Sequence, residues 1–214
     1  MTDRSFSLYL ARHGETEYNR RRLMQGRSVD ASLNEAGLLQ ARALADRFSD
    51  QRVDALYASP LQRSLQTATA VGEGLGLVPS ILPEIGEMYW GTLEGKPIAE
   101  FKDYLKQVGS DWRSGEFDHN VGGGESILDV QARAQMALGK LCAAHGNGEN
   151  VLVVTHGRFL RVILTVALPD SDLTHMDEFG HANTGIYLLE FDGAVFTLHL
   201  RNCTRHLPKT EEAA

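Results

Sequence analysis

Cysteine is scarce in this chain: 214 residues hold two, Cys142 and Cys203, and they form no paired motif. A disulfide framework is excluded, and free thiols suit a reducing compartment. Apolar length is lacking as well. No segment reaches the roughly 20 apolar residues of a membrane helix, and Met1 to Ser5 lack the charged-then-apolar plan of a signal peptide. A cytoplasmic protein with no membrane partner is the expectation. Nor is there a basic excess. With 21 Lys and Arg against 28 Asp and Glu, the net charge is -7, so no nucleic-acid partner is expected and any phosphate affinity must come from a local pocket.

Several chemistries are missing their signatures. The eight histidines supply no His-Glu-x-x-His or His-x-His cluster, so no metal and no cofactor is expected. Neither cysteine opens the Cys-x5-Arg loop of a cysteine phosphatase. Gly122 to Ser126 is glycine-rich but lacks the Gly-Lys-Ser/Thr ending of a nucleotide loop, and it reads as a flexible hinge. Asp170-Ser-Asp172-Leu-Thr174 matches an aspartyl-phosphatase motif, yet that motif belongs at the end of an early strand. Here it follows Pro169 and a helix-like run, with too little chain left to build a sheet around it.

What is present is a repeated construction. Ser7 to Ala11 has the length of a buried strand and runs directly into Arg12, His13 and Gly14. Asn150 to Thr155 does the same before His156 and Gly157, and a helix-like stretch from Arg158 to Leu168 follows. If these strands are parallel neighbours, both histidines meet at the sheet edge where α/β proteins bind ligands. The amides opening the second helix would then face an anion.

The chain resembles the histidine phosphatase superfamily, the phosphoglycerate-mutase-like group. The resemblance rests on Arg12-His-Gly-Glu-Thr16, Asn19, Gln25-Gly26, Ser32 to Gly37, Ser59 to Ala68, Glu87 to Gly95, Gly123 to Ser126 and Thr155 to Gly157, and it spans about residues 7 to 190. It implies a three-layer α/β/α sandwich with a mostly parallel central sheet. It also implies a metal-independent phosphomonoesterase that acts on a small phosphorylated substrate. His13 would carry the phosphoryl group, Arg12 and Arg63 would hold its oxygens as forked donors, and His156 would complete the catalytic group. Thr16, Asn19, Gln25, Gly26, Trp90 and Gly157 would join the two arginines in contacting the substrate.

Cleaving an ester also demands a proton for the departing alkoxide. Glu87, beside Met88, Tyr89 and Trp90, is the candidate, since such neighbours strip water from a carboxyl group and raise its pKa. Glu84 is the rival. The family-like spacing Glu-x-x-x-Gly matches Glu87 and Gly91. Two further readings stay open: a phosphoglycerate mutase and a non-catalytic module that binds phosphorylated ligands. Mutases of this group generally carry a longer segment between the acid and the Gly-Gly-Glu-Ser stretch.

A length of 214 residues, 43% hydrophobic, suits one domain, with residues 96 to 121 as a cap-like insertion. Oligomeric state is not legible, and a homo-oligomer stays open. Ser32 to Glu35 reads as a capping box ahead of a helix that buries Leu33, Gly37, Ala41, Leu44 and Phe48. Val53 to Tyr57 reads as a strand, and Ser59 with Pro60 as the start of a helix carrying Arg63 and ended by Gly72, Gly74 and Gly76. Leu77 to Leu82 is a weak strand. A helix near Ile98 to Val108 precedes a loop holding Trp112, Asp118 and His119, and another helix runs from the glycine loop to about Ala144. Cys142 lies on its apolar face. Asp192-Gly193 marks a C-terminal hairpin between Ile186 to Phe191 and Ala194 to Leu200, and Lys209 to Ala214 are expected to fray. Arg20 to Arg22 is the one basic run, placed to greet a second acidic group on a substrate or to lie on a solvated face.

Overall fold

Val151, Leu152, Val153 and Val154 are all fully buried, which only a strand covered on both faces permits. They belong to β4 (Glu149–Thr155), which lies between β1 (Phe6–Arg12) and β2 (Ala55–Ala58) in a computed structural model that describes residues 4–208. The six-stranded sheet has the order β3-β2-β4-β1-β5-β6, with β3 (Ser80–Ile81), β5 (Ile186–Phe191) and β6 (Phe196–Cys203) completing it. β3, β2, β4 and β1 are parallel, while β5 and β6 form the antiparallel hairpin.

Alternation along the strands divides the interior. Leu8, Leu10, Val151 and Val153 face a core shared with α5 (Ile127–Ala144) and α6 (Gly157–Ala167). Ala11, Leu152 and Val154 face the other side, against α2 (Glu35–Phe48) and α3 (Gln62–Leu75). This is the expected three-layer arrangement. The short α1 (Glu17–Arg20) and the outlying α4 (Lys102–Arg113) flank it.

Several local expectations are corrected. The cap of α2 is Asn34, whose side chain accepts from Gly37 N, and not Ser32. α3 begins two residues after Pro60 with Leu61 at its cap position, and Asp30 Oδ1 accepts from Gln62 N at 2.6 Å in place of a local cap. Gly72 and Gly74 stay inside that helix, and Gly76 at φ 68° ends it. The helix expected near Ile98 to Val108 starts later and runs further. A 3-10 turn over Ile98–Phe101 leads into α4, and Trp112 is buried on that helix. The glycine loop is no hinge: a Cβ on Gly124 would lie 2.0 Å from Tyr89 O, and one on Gly91 would lie 2.1 Å from Gly122 O. Backbone packs on backbone there, which only glycine permits.

The expected strands shift as well: the Val53 to Tyr57 run pairs over Ala55–Ala58, Leu77 to Leu82 only over Ser80–Ile81, and the last strand runs over Phe196–Cys203. Ser126 caps α5 in a reciprocal box with Asp129, and Ile127, Val130, Ala134, Ala137 and Leu141 form its buried face. Cys142 is partly buried against the core. Asp192 Oδ1 accepts from Ala194 N and Val195 N, which closes the hairpin. Asp170 to Thr174 lies past the far end of α6, roughly 16 Å along that helix from His156, where Asp172 caps a 3-10 turn. Lys209 to Ala214 lie outside the described residues. Among the described residues, no helix is long and apolar enough to cross a membrane.

Candidate active site

The register of β1 on β4 pairs Arg12 with Thr155, so the residues that follow, His13 and His156, leave adjacent strand ends together. Their ring centroids are 5.1 Å apart, and both side chains are buried. Gly14 allows the strand end to approach α2 closely, since a Cβ there would lie 2.6 Å from Gly37 O. Gly14 N donates to Thr67 Oγ1 at 3.0 Å.

His13 Nδ1 lies 2.7 Å from Gly14 O. A carbonyl oxygen only accepts, which assigns the proton to Nδ1 and the lone pair to Nε2. Burial pushes the His13 pKa well below the usual imidazole value, and the neighbouring Arg63 and Arg12 push it the same way. His13 is therefore neutral at neutral pH, the state in which an imidazole is a nucleophile. His156 is depressed for the same leading reason, burial, followed by Arg63 and His13. Its Nε2 sits 2.5 Å from Ser59 Oγ, and its Nδ1 is buried without a protein partner.

A half-buried arginine, Arg12, and a fully buried one, Arg63, flank the pair. Arg12 Nη1 donates to His181 O at 2.7 Å and lies 3.3 Å from His181 Nδ1. Arg63 donates through Nη1 to Val29 O at 2.7 Å and through Nη2 to Gly26 O at 3.1 Å. Burial lowers both pKa values to about 10, so both remain cationic at neutral pH. The Nε atoms of both are buried with no protein acceptor. Unmatched donors of this kind call for an anionic acceptor.

Glu87 is 7% exposed. Its Oε1 accepts from Met88 N at 2.9 Å and Phe159 N at 3.1 Å, and its Oε2 accepts from Arg158 N at 3.2 Å. The first-turn amides of α6, expected to face a bound anion, are thus engaged by this carboxylate. Glu84 is turned away to Lys140 Nζ at 2.6 Å, and that contact holds its carboxyl below the usual carboxylate range.

The remaining expected residues divide in two. Thr16 and Asn19 cap α1 reciprocally, and both donate to Gln25 Oε1, at 2.9 and 3.4 Å, which leaves Gln25 Nε2 buried without a partner. Gly26 acts through the carbonyl that holds Arg63. Gly157 abuts Arg12, since a Cβ there would lie 3.5 Å from Arg12 Nε. Trp90 is the exception: it packs at 6.3 Å from Trp112, and the Arg158 guanidinium lies 5.8 and 4.7 Å from the two rings. It belongs to the core cluster.

His181 and Asn183 were missed by sequence reasoning. They lie in an aperiodic stretch before β5, yet His181 grips Arg12 and Asn183 Nδ2 donates to His13 O at 3.0 Å. Ser59 was read as a helix cap, but its hydroxyl faces His156. A cavity of about 780 Å³ adjoins Arg12, bounded by Asn19, Arg22, Pro97, Lys102 and Asn183 among others. Only the first part of the 96 to 121 segment forms its wall. Among the described residues, no group of three or more His, Cys, Asp or Glu could hold a metal ion.

The family model of the histidine phosphatase superfamily (branch 1) matches residues 8–204. The metal-independent phosphoserine phosphatase of Arabidopsis thaliana is 36% identical over 160 residues, covering 73% of this chain and 66% of that protein. Phosphoglycerate mutase-like protein 4 of the same plant is 29% identical over 206 residues, covering 95% and 87% respectively. Among solved structures, phosphoserine phosphatase from Entamoeba histolytica, in complex with 3-phosphoglyceric acid, superposes with a TM-score of 0.83 at 28% identity, covering 95% of this chain and 100% of that one.

Proposed function

As the chain belongs to the histidine phosphatase superfamily (branch 1), we propose that it hydrolyses small phosphomonoesters through a phosphohistidine on His13, with Glu87 as proton donor. The chain is a phosphoric monoester hydrolase. The observation that carries the reading is the neutral, buried His13 beside two arginines whose buried Nε donors have no protein acceptor.

In the first half-reaction, His13 Nε2 attacks phosphorus and the bond from phosphorus to the ester oxygen breaks. Glu87, entering as the acid, gives its proton to the departing alkoxide. Arg12, Arg63 and His156 face the charge that spreads over the transferring oxygens, and being buried they need little reorganisation to do so. In the second half-reaction, Glu87 takes a proton from water, the water oxygen bonds to phosphorus, and the P–N bond breaks. Its electrons return to His13 Nε2 and phosphate leaves. Thr16, Asn19 and Asn183 fix the framework around Gln25 and the His13 backbone.

We assign this work to one domain, with the start of the 96 to 121 segment as wall of the leaving-group cavity, and place the protein in the cytoplasm on the strength of its two free cysteines. The test is phosphate release from a panel of phosphomonoesters in EDTA, with wild type and His13→Ala side by side. Release that survives chelation and is lost in the variant supports the reading. Interconversion of phosphoglycerate isomers without net release would replace it with a mutase, and no turnover of any ester would leave only a binding module.

A further inference from the structure

The cavity beside Arg12 holds more positive charge than transfer of a phosphoryl group requires. Along its wall, Arg21, Arg22 and Lys102 accompany Arg12, and Glu15 is the one carboxylate there. Glu15 Oε1 already accepts from Asn34 Nδ2 at 2.8 Å, on the side of α2. Arg20 is bound to Glu17 at 2.8 Å, and Glu17 also feels Arg21 at longer range. Arg22 and Lys102 have no side-chain hydrogen bond or ion pair among the described residues. A chain of net charge -7 thus collects unneutralised cations in one concave place.

Arg22 is held there against its backbone preference. Its φ is 53°, a left-handed position at the end of α1 where glycine would be unstrained. A strained position occupied by a long cation, at a cavity wall, points to use of that cation. The turn is also tied to the opposite wall: Ile98 N donates to Arg22 O at 3.0 Å and Met24 N donates to Lys96 O at 2.9 Å. These bonds fix the backbones that carry Arg22 and Lys102 relative to each other.

We propose that Arg22 and Lys102, with Arg21, form a leaving-group subsite that selects phosphomonoesters whose alcohol carries its own negative charge, a carboxylate or a second phosphate. The subsite rests on the phosphatase reading above and names the substrate class for that same site. Exposed ion pairs are individually weak, so three cations acting together give a preference on the order of tenfold at low salt, diminishing as salt is added.

The test compares kcat/KM for glycerol 3-phosphate and 3-phosphoglycerate, which share a skeleton and differ by a hydroxymethyl group against a carboxylate, and adds glycerol 1,3-bisphosphate. The enzymes are wild type, Arg22→Gly and Lys102→Gln. Glycine relieves the positive φ, so the thermal midpoint of Arg22→Gly is expected at or above that of wild type, which separates lost charge from lost fold. The expected result is a preference for the charged esters that shrinks about twofold in each variant and severalfold in 0.5 M salt. A response confined to the carboxylate or to the bisphosphate names which anion the subsite takes. Equal kcat/KM for neutral and charged esters in wild type, or a preference that neither variant alters, overturns the subsite while leaving the phosphatase reading intact. Failure to cleave any of the three esters, with p-nitrophenyl phosphate still cleaved, also overturns it; failure on all four takes the phosphatase reading down first.

Discussion

Replacing Glu87 by glutamine keeps the side chain's shape and removes its ability to shuttle a proton, so the two consequences can be read apart. If the glutamine oxygen takes the Oε1 position, it keeps the bonds from Met88 N and Phe159 N, and the amide nitrogen then faces Arg158 N, a donor against a donor. One hydrogen bond to a buried carboxylate is lost, a cost of about 2 kcal/mol. Over a chain of this size that lowers the melting midpoint by roughly 4 to 8 °C and leaves the protein folded at 25 °C. Catalysis loses much more. Without the acid, transfer from an alkyl phosphate slows by about 10² to 10⁴. From p-nitrophenyl phosphate, whose phenolate departs without a proton, the same step slows by less than about tenfold. Loss of the base then slows hydrolysis of the phosphohistidine. Glu87→Gln should therefore release a burst of nitrophenolate, stoichiometric with enzyme, followed by slow turnover, as followed by stopped-flow absorbance. Equal slowing of the first step for both esters, with no burst, would refute the assignment of Glu87 as the acid.

Stability should fall in mild acid, because the buried His13 and His156 and the half-buried His181 have pKa values below the unfolded value near 6.5. The unfolded chain then binds more protons, and stability present above about pH 6.5 is lost as pH falls toward the folded values. His181, lowered to about 4 chiefly by burial and then by Arg12, accounts for about 2 kcal/mol between about pH 7 and about pH 5. Urea titrations at the two pH values check this, and an unchanged midpoint contradicts it. Ser59→Ala strips the partner from buried His156 Nε2 and should cost about 1 to 3 kcal/mol in the same titration. Gly14→Ala drives a methyl group into Gly37 O and should cost about 2 kcal/mol and most of the turnover. Gly139→Ala, where a Cβ meets nothing within 4 Å, should stabilise α5 by about 0.5 to 1 kcal/mol without changing rate.

What the chain's own pattern revealed was governed by repetition and contiguity. Two apolar runs ending in His-Gly fixed the strand ends, and the apolar spacing of α2 and α5 fixed the faces that pack. Properties set by distant partners were not legible. Ser32 and Ser59 are sound capping residues in isolation. The chain instead caps α2 with Asn34 and presents Asp30 from another loop to α3, while the Ser59 hydroxyl accepts from Leu61 N and faces His156. The α6 amides are expected to face a bound anion, yet Glu87, about 70 residues away in the chain, engages them, and no local signal marks that pairing. The helix of the 96 to 121 segment carries its full length in the pattern: Leu105, Val108 and Trp112 fall at helical spacing and pack inward. His181 and Asn183 lie where neither periodicity nor motif marks them, and only the fold carries them to Arg12 and His13.

The most direct test of the phosphohistidine is rapid-quench labelling. Wild-type enzyme is mixed with radiolabelled phosphomonoester in EDTA and quenched in alkali, where a phosphoramidate survives and an acyl phosphate does not. The digested peptides are then mapped. Label on the peptide holding His13, absent in His13→Ala and persistent in Glu87→Gln, is the expected result. Label on any other residue, or full turnover by His13→Ala, would contradict the account.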